Sequence, residues 1–308
     1  MRRPWRIAAA GLLAAALADL SSCALNVPYD KYAIVYGIAD YNGLLSTLTY
    51  TDDDADAMYQ LLLVSQGFDL VTLRTNSAAT KSQLLTDIGN IATDPDMDEE
   101  DLFVFYFSGH GGPEGIGPEP ETGDAENEWI SLYGSTYPPD LSTTFSDDAL
   151  VAALRVIPCR KKVIIIDACN SGGFIGNELE VDGEPAALAE GSESILELAA
   201  DAIRLYANFD GSSADIPPWE ALVLSAAGER ELSLEGPFYG HGIFTYYLLE
   251  AETEGDQDHD GWVTVTEAFA YTQEKLYRDY YLGRFGPYDA YSPHVSGGPV
   301  DYVLFEAR

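Results

Sequence analysis

Two residues hold most of the chemical potential of this sequence, and each stands at the end of an apolar run. Cys169 closes Val163-Ile164-Ile165-Ile166-Asp167-Ala168-Cys169 and opens into Asn170-Ser171-Gly172-Gly173. His110 follows Leu102-Phe103-Val104-Phe105-Tyr106-Phe107-Ser108-Gly109 and is itself followed by two glycines. A thiolate is a strong nucleophile and an imidazole titrates near neutrality. Together they form the pair needed to attack a carbonyl and hand a proton to its leaving group. Taken alone, Cys169 has a competing role as a buried core thiol beside a tight turn. The second run, ending in its own polar cluster, favours the nucleophile.

A third constellation lies near the carboxyl end. Asp256, Asp258, Asp260, Gly261, Trp262, Thr264 and Glu267 fill positions 1, 3, 5, 6, 7, 9 and 12 of an EF-hand loop. Three carboxylates at alternate positions converge on one cation, Gly261 permits the sharp turn, Trp262 offers its carbonyl and Glu267 closes the site. The ion expected is Ca2+ in a structural role; a solvated acidic turn is the competing reading. No organic cofactor is implied.

Strands must bring Cys169 and His110 together. Runs of β-branched and aromatic residues without alternation read as strands buried on both faces of a parallel sheet. The predicted order is a strand over 32–38, a helix from Asp52 to about Ser65, a strand over 68–74, a helix over 80–92, and the His110 strand. Thr80 with Gln83 predicts a capping box. A Gly/Pro-rich segment over 113–145 contains a short strand at 129–133. Then come a helix capped by Ser146, the Cys169 strand, a strand at 221–225, and helices over 238–249 and 265–280. Strand and helix alternate as in an α/β fold with helices on both sheet faces, and the carboxyl ends of such strands are where ligands bind. Residues 178–218, acidic and rich in small side chains, read as an insertion with one helix over 192–206. Ten residues of mostly extended chain put Cys159 and Cys169 roughly 30 Å apart, against a disulfide limit of about 7 Å, so Cys169 is a free thiol.

The amino terminus reads as a targeting segment. Arg2, Arg3 and Arg6 precede a short apolar run, the pattern of a signal peptide over 1–22. Leu20-Ser21-Ser22-Cys23 resembles a bacterial lipobox, making Cys23 the lipidated residue and 23–30 a tether; ordinary cleavage with a free Cys23 is the alternative. The expectation is an exported, membrane-anchored lipoprotein on the periplasmic or cell-surface side. A net charge of −35 across 308 residues argues against nucleic-acid partners.

Ser108-Gly109-His110-Gly111, Asp167-Ala168-Cys169-Asn170-Ser171-Gly172, Asp54-Ala55 and the stretch from Gly242 to Leu249 together resemble the caspase-like and metacaspase-like cysteine peptidases over roughly residues 30–300. The 59 positions from His110 to Cys169 suit the caspase spacing. The resemblance implies a three-layer αβα fold with a mainly parallel sheet over 31–308, plus the calcium loop at 256–267. It implies amide hydrolysis through a thioester, with Cys169 as nucleophile, His110 as acid and base, and the backbone N–H groups of Gly111 and Cys169 as oxyanion hole. Asp54, Ser108 and Asp167 match substrate-pocket positions. Two acids in one pocket point to protein or peptide substrates cut after Arg or Lys. Asp54 has the alternative role of an acid in its helix's first turn, and Asp167 that of ordering its loop. Arg204 is the one basic residue between Gly172 and Gly228, which implies a single-chain enzyme. A monomer is expected. His241, His259 and His294 receive no role. The competing class is an inactive caspase-fold lipoprotein serving as a calcium-stabilised binding or adhesion module.

Overall fold

The computed structural model describes residues 29–112, 129–138, 140, 142–169, 221–228, 231–285, 292–296 and 301–308. The signal peptide, Cys23, most of the tether, residues 113–128 and the insertion with its helix lie outside them.

Along the chain come β1 (Lys31–Gly37), α1 (Thr51–Gln60), β2 (Leu70–Thr75), α2 (Lys81–Ala92) and β3 (Leu102–Ser108). Short strands β4 (Gly111–Gly112), β5 (Trp129–Ser131) and β6 (Thr144–Ser146) precede α3 (Asp147–Leu154) and β7 (Lys161–Asp167). Then follow β8 (Leu222–Ser225), β9 (Glu235–Gly236), β10 (His241–Gly242), α4 (Ile243–Glu254), β11 (Trp262–Thr264), α5 (Val265–Tyr281), β12 (His294–Val295) and β13 (Val303–Glu306). α1 continues through a π-helical turn over Leu61–Ser65, which carries it to the predicted end.

The central sheet has the order β12-β8-β7-β3-β1-β2 and is parallel throughout except for β12 at its edge. β3 and β7 lie at its centre and are buried along their apolar lengths. That double burial explains their unbroken apolar sequence. Side chains alternate between faces. Phe103, Phe105, Phe107, Ile164 and Ile166 face a core shared with Leu84 and Ile88 of α2 and Leu150 and Leu154 of α3. Val104, Tyr106, Val163 and Ile165 face the other core, with Met58 of α1, Phe244 and Leu248 of α4, and Phe269 of α5. By the same alternation Ser108 and Asp167 fall on the α1/α4 face.

Two local expectations change. The predicted helix over 238–249 begins only at Ile243. Residues 235–242 form a β-hairpin turned through Gly240, whose φ of +68° suits glycine and interrupts a right-handed helix. At Thr80 only half of the capping box forms: its hydroxyl accepts from the Gln83 N–H at 3.2 Å, while the Gln83 amide donates to Asp87. A complete box closes the start of α5 between Thr264 and Glu267. α5 is tied to the hairpin by Asp279, fully buried, which accepts from the hydroxyls of Tyr239 and Tyr247 and from Arg284 at 2.7 Å. Among the described residues no helix is long and apolar enough to cross a membrane.

Candidate active site

Strand register sets His110 and Cys169, the expected base and nucleophile, at equivalent positions on adjacent strands. Ser108 pairs with Asp167, and the Gly109 N–H donates to the Asp167 carbonyl at 3.1 Å. His110 and Cys169 each follow two residues past that matched pair, on adjacent parallel strands about 4.8 Å apart. The approach is so close that a Cβ on Gly111 would lie 2.3 Å from the Cys169 carbonyl oxygen and 3.0 Å from the Ala168 Cβ. Gly111 is therefore glycine because of Cys169.

His110 is held from both sides. Its backbone N–H donates to the Tyr41 hydroxyl at 2.8 Å, and the two rings lie 5.0 Å apart, centre to centre. Tyr41 is fully buried and donates to the Ser131 carbonyl at 3.1 Å. The His110 Nε2 lies 2.8 Å from the Ser46 carbonyl oxygen and 3.2 Å from its hydroxyl. A carbonyl only accepts, so Nε2 carries the hydrogen and Nδ1 is the basic nitrogen of the neutral ring. The Ser131 N–H donates to the His110 carbonyl at 2.9 Å, while Gly111 pairs with Ile130. That pattern makes Gly111–Ile130 a pair exchanging no hydrogen bonds, and it leaves the Gly111 N–H out of the ladder, as an oxyanion donor requires.

The Cys169 thiol is half-buried, free, and 3.9 Å from the Ser233 carbonyl oxygen. Cys159 is free as well, and buried. Burial pushes the Cys169 thiol up, and the charges of Asp167 and Glu235 push in the same direction. At neutral pH the resting thiol keeps its proton, and a base is needed to remove it.

Asp54, Ser108 and Asp167, the residues matched to substrate positions, converge on the α1/α4 face of the same strand ends. Asp54 is fully buried; its Oδ2 accepts from the Ser108 hydroxyl at 2.9 Å and its Oδ1 from His241 Nδ1 at 2.8 Å. The Gly242 N–H donates to both oxygens at 3.1 and 3.2 Å. Asp167, 4% exposed, accepts from the Ser233 hydroxyl at 2.6 Å, the Thr245 hydroxyl at 2.7 Å and the Thr245 N–H at 3.2 Å. Tyr106 joins its hydroxyl to that of Thr245 at 2.6 Å. A Cβ on Gly242 would lie 2.6 Å from Asp167 Oδ2 and 3.0 Å from Asp54 Oδ2, so the two carboxylates press on the same point. That point is the amino terminus of α4, where free N–H groups and the helix dipole favour negative charge. Even so, burial pushes both carboxyls up, and the Asp54 charge helps carry Asp167 to about 7.

The residues that sequence reading missed are partners of these. Ser46 contributes a carbonyl, which no side-chain pattern announces. Ser233, Glu235 and His241 belong to the hairpin segment read as loop and helix. Glu235 accepts from the Thr49 and Tyr50 N–H groups at 2.8 to 3.0 Å and so pins the entry to α1. The available signal was Gly240-His241-Gly242, a histidine between two glycines.

Asp256, Asp258 and Asp260 lie apart, with carboxylate oxygens within 4.8 Å of one another. Gly261 has φ +94° and His259 φ +60° in the turn. Glu267 caps α5 through Thr264 and accepts from the Gln257 N–H at 3.3 Å, which draws its carboxylate to the loop.

The family model described as caspase domain matches residues 30–291. Metacaspase-4 of Arabidopsis thaliana is 29% identical over 166 residues, an alignment covering 50% of this chain and 36% of that protein. The chain thus spans little more than a third of that relative's length. A solved structure of a Geobacter sulfurreducens protein shares the fold, with a TM-score of 0.54 at 18% identity over 88% of this chain and 95% of that one.

The thiol's surroundings predict its reactivity. Iodoacetamide labelling of Cys169, followed by mass spectrometry of its peptide, should have a pH midpoint above the ordinary thiol value of about 8.5. A midpoint below neutrality would show a preformed thiolate–imidazolium pair instead.

Proposed function

The chain belongs to the caspase domain family, and from that premise we propose that it is a cysteine endopeptidase cutting after Arg or Lys. The observation that carries the basic preference is the convergence of two buried carboxylates, Asp54 and Asp167, beside Cys169. Two acids pressed together at low dielectric resist double ionisation, and a guanidinium or ammonium placed between them relieves that cost. The Ser108, Ser233, Thr245 and Gly242 donors fix both carboxylates, so the pocket is organised before substrate arrives.

In the attack, the His110 Nδ1 takes the Cys169 proton as sulfur bonds to the scissile carbonyl carbon. The resulting oxyanion is held by the Gly111 and Cys169 N–H groups. The proton then passes from His110 to the leaving amine, the C–N bond breaks, and a thioester remains. Water, deprotonated by His110, cleaves the thioester and returns the thiol. Ser46 keeps the imidazole in the tautomer these steps need.

We also propose Ca2+ at Asp256, Asp258 and Asp260, with Trp262, Thr264 and Glu267 completing the set. Hard carboxylate oxygens on a loop turned through Gly261 fit that ion. Bound there, it would brace the junction of α4 and α5. The amino-terminal pattern supports lipid anchoring through Cys23, with the peptidase domain outside the cytoplasm.

Cleavage of a fluorogenic peptide with Arg at P1 should be abolished by Cys169→Ala and reduced at least about 100-fold in kcat/KM by Asp54→Asn or Asp167→Asn, a loss of about 2.7 kcal/mol. Turnover unchanged in both Asn variants would remove the basic-pocket reading. Because Asp167 is neutral below its value of about 7 and charged above it, KM for such a peptide should fall as pH rises through 7. Calcium should raise the melting temperature of the wild type, and Asp258→Ala should erase that increment. Cys23→Ser should move the protein from the membrane to the soluble fraction.

A further inference from the structure

Resting on the basic-pocket reading, we infer that His241 is the pocket's resident cation, a specificity-determining residue that a basic substrate side chain must displace from Asp54. The partners of the acid pair differ in their freedom to move. Ser108 and Thr245 are buried, and Ser233 is also tied to Cys169 through its carbonyl. Gly242 contributes main chain at the start of α4. His241 alone among the Asp54 partners is a side chain with substantial exposure, 24%, against 0% for Asp54. The carboxylate it binds has no exposure of its own. Among the described residues its Nε2 makes no hydrogen bond, so its hydrogen bonding there rests on Nδ1.

The charge arrangement gives this position its meaning. His241 faces Asp53 and Asp54 of α1 and Asp167 of β7, and its ring lies 6.4 Å from that of Tyr246 on α4. Glu235, on the paired strand, is opposite Gly242 and engaged with Thr49 and Tyr50. No fixed cation is among these neighbours. The hydrogen bond to Asp54 and the surrounding acids push the imidazole up from its ordinary value. A protonated His241 therefore neutralises Asp54 in the empty pocket. A guanidinium or ammonium reaching Asp54 occupies the same oxygen, Oδ1, and two cations do not share it at low dielectric. The ring leaves as the guest enters, and above its ordinary value of about 6.5 it then releases its proton to solvent. His241 sets a threshold: a neutral P1 side chain offers nothing in exchange for the broken pair, whereas a cation replaces it. Discrimination comes from this exchange as well as from attraction.

The sign of the pH effect follows. Below the imidazole's raised value His241 is charged and competes with the guest; above it the competitor is neutral and binding tightens. Asp167 ionises in the same direction, so the variants must separate the two. His241→Gln retains a donor for Asp54 without a titrating charge, and His241→Lys supplies a permanent cation.

The test uses the full chain and N-acetyl-argininamide as probe, with N-acetyl-norleucinamide as the neutral control. The sequence holds four histidines, so the imidazole signals can be followed individually by NMR. At saturating probe, the His241 titration should fall toward the ordinary imidazole value, while the neutral control leaves it in place. Relative to wild type, His241→Gln should tighten probe binding about tenfold at pH 6 and hardly change it at pH 9; His241→Lys should weaken it at both. A His241 titration indifferent to bound probe, equal affinities in wild type and His241→Gln at pH 6, or no binding of the probe at all overturns the inference. Cleavage of the Arg peptide is measured in parallel. Displacement without cleavage leaves the inference standing and removes the peptidase reading, and cleavage without displacement does the reverse.

Discussion

Two carboxylates buried against each other need donors from every side, and most of the architecture around this site is arranged to provide them. Asp54 arrives on α1, Asp167 on β7, and the amino terminus of α4 points its N–H groups at both. Ser108 of β3, Ser233 and the Thr245 hydroxyl supply further donors. Four separate stretches of chain meet at one charge problem. A buried acid stripped of such partners would be neutral or would open the fold, since an unpaired buried charge costs several kcal/mol. The pair thus fixes where α1 and α4 sit relative to the central strands.

Catalytic geometry depends on a plainer constraint, the register of two parallel strands. With Ser108 opposite Asp167, His110 and Cys169 each stand two residues past a matched pair on adjacent strands. In the proposed mechanism, substrate reading and bond breaking divide by position along the strand ends. Asp167 and Ser108 end the strands and turn toward the α1/α4 core, and two residues later the backbone has left the sheet and carries the reactive groups. Tyr41 and Ser46, both from the loop after β1, fix His110. Glu235 fixes the far end of that loop, so the hairpin organises the base as well as the pocket.

The central strands were legible because burial on both faces leaves a continuous apolar run, and β1, β3, β7 and β8 lie where those runs predict. Helix starts at Thr80 and Ser146 were legible from the same local chemistry that caps them. The hairpin over 235–242 was not. Phe238 and Tyr239 continue the apolar spacing of α4, and what breaks the helix is tertiary: Gly240 turns left-handed, and Gly242 must pass within a hydrogen bond of Asp54. The convergence of Asp54 with Asp167 could be anticipated from matching motifs. His241, Ser233 and the Ser46 carbonyl could not, since two of those contacts use main chain and the third joins residues 187 positions apart. The spacing of Asp256, Asp258 and Asp260, whose carboxylates converge, is local and reads directly from sequence.

Ser233 touches both halves of the site: its hydroxyl donates to Asp167 while its carbonyl oxygen lies against the Cys169 sulfur. One residue therefore touches both the carboxylate proposed to read the substrate's side chain and the thiol proposed to attack its backbone. In that mechanism a shift at Asp167 on substrate binding would reach the thiol through a single residue. Recognition energy can then be expressed in the bond-making step and need not end as tighter binding, which is the condition under which specificity shows itself in turnover. Because Asp167 and Cys169 share Ser233 as a partner, substitutions at the two should be non-additive.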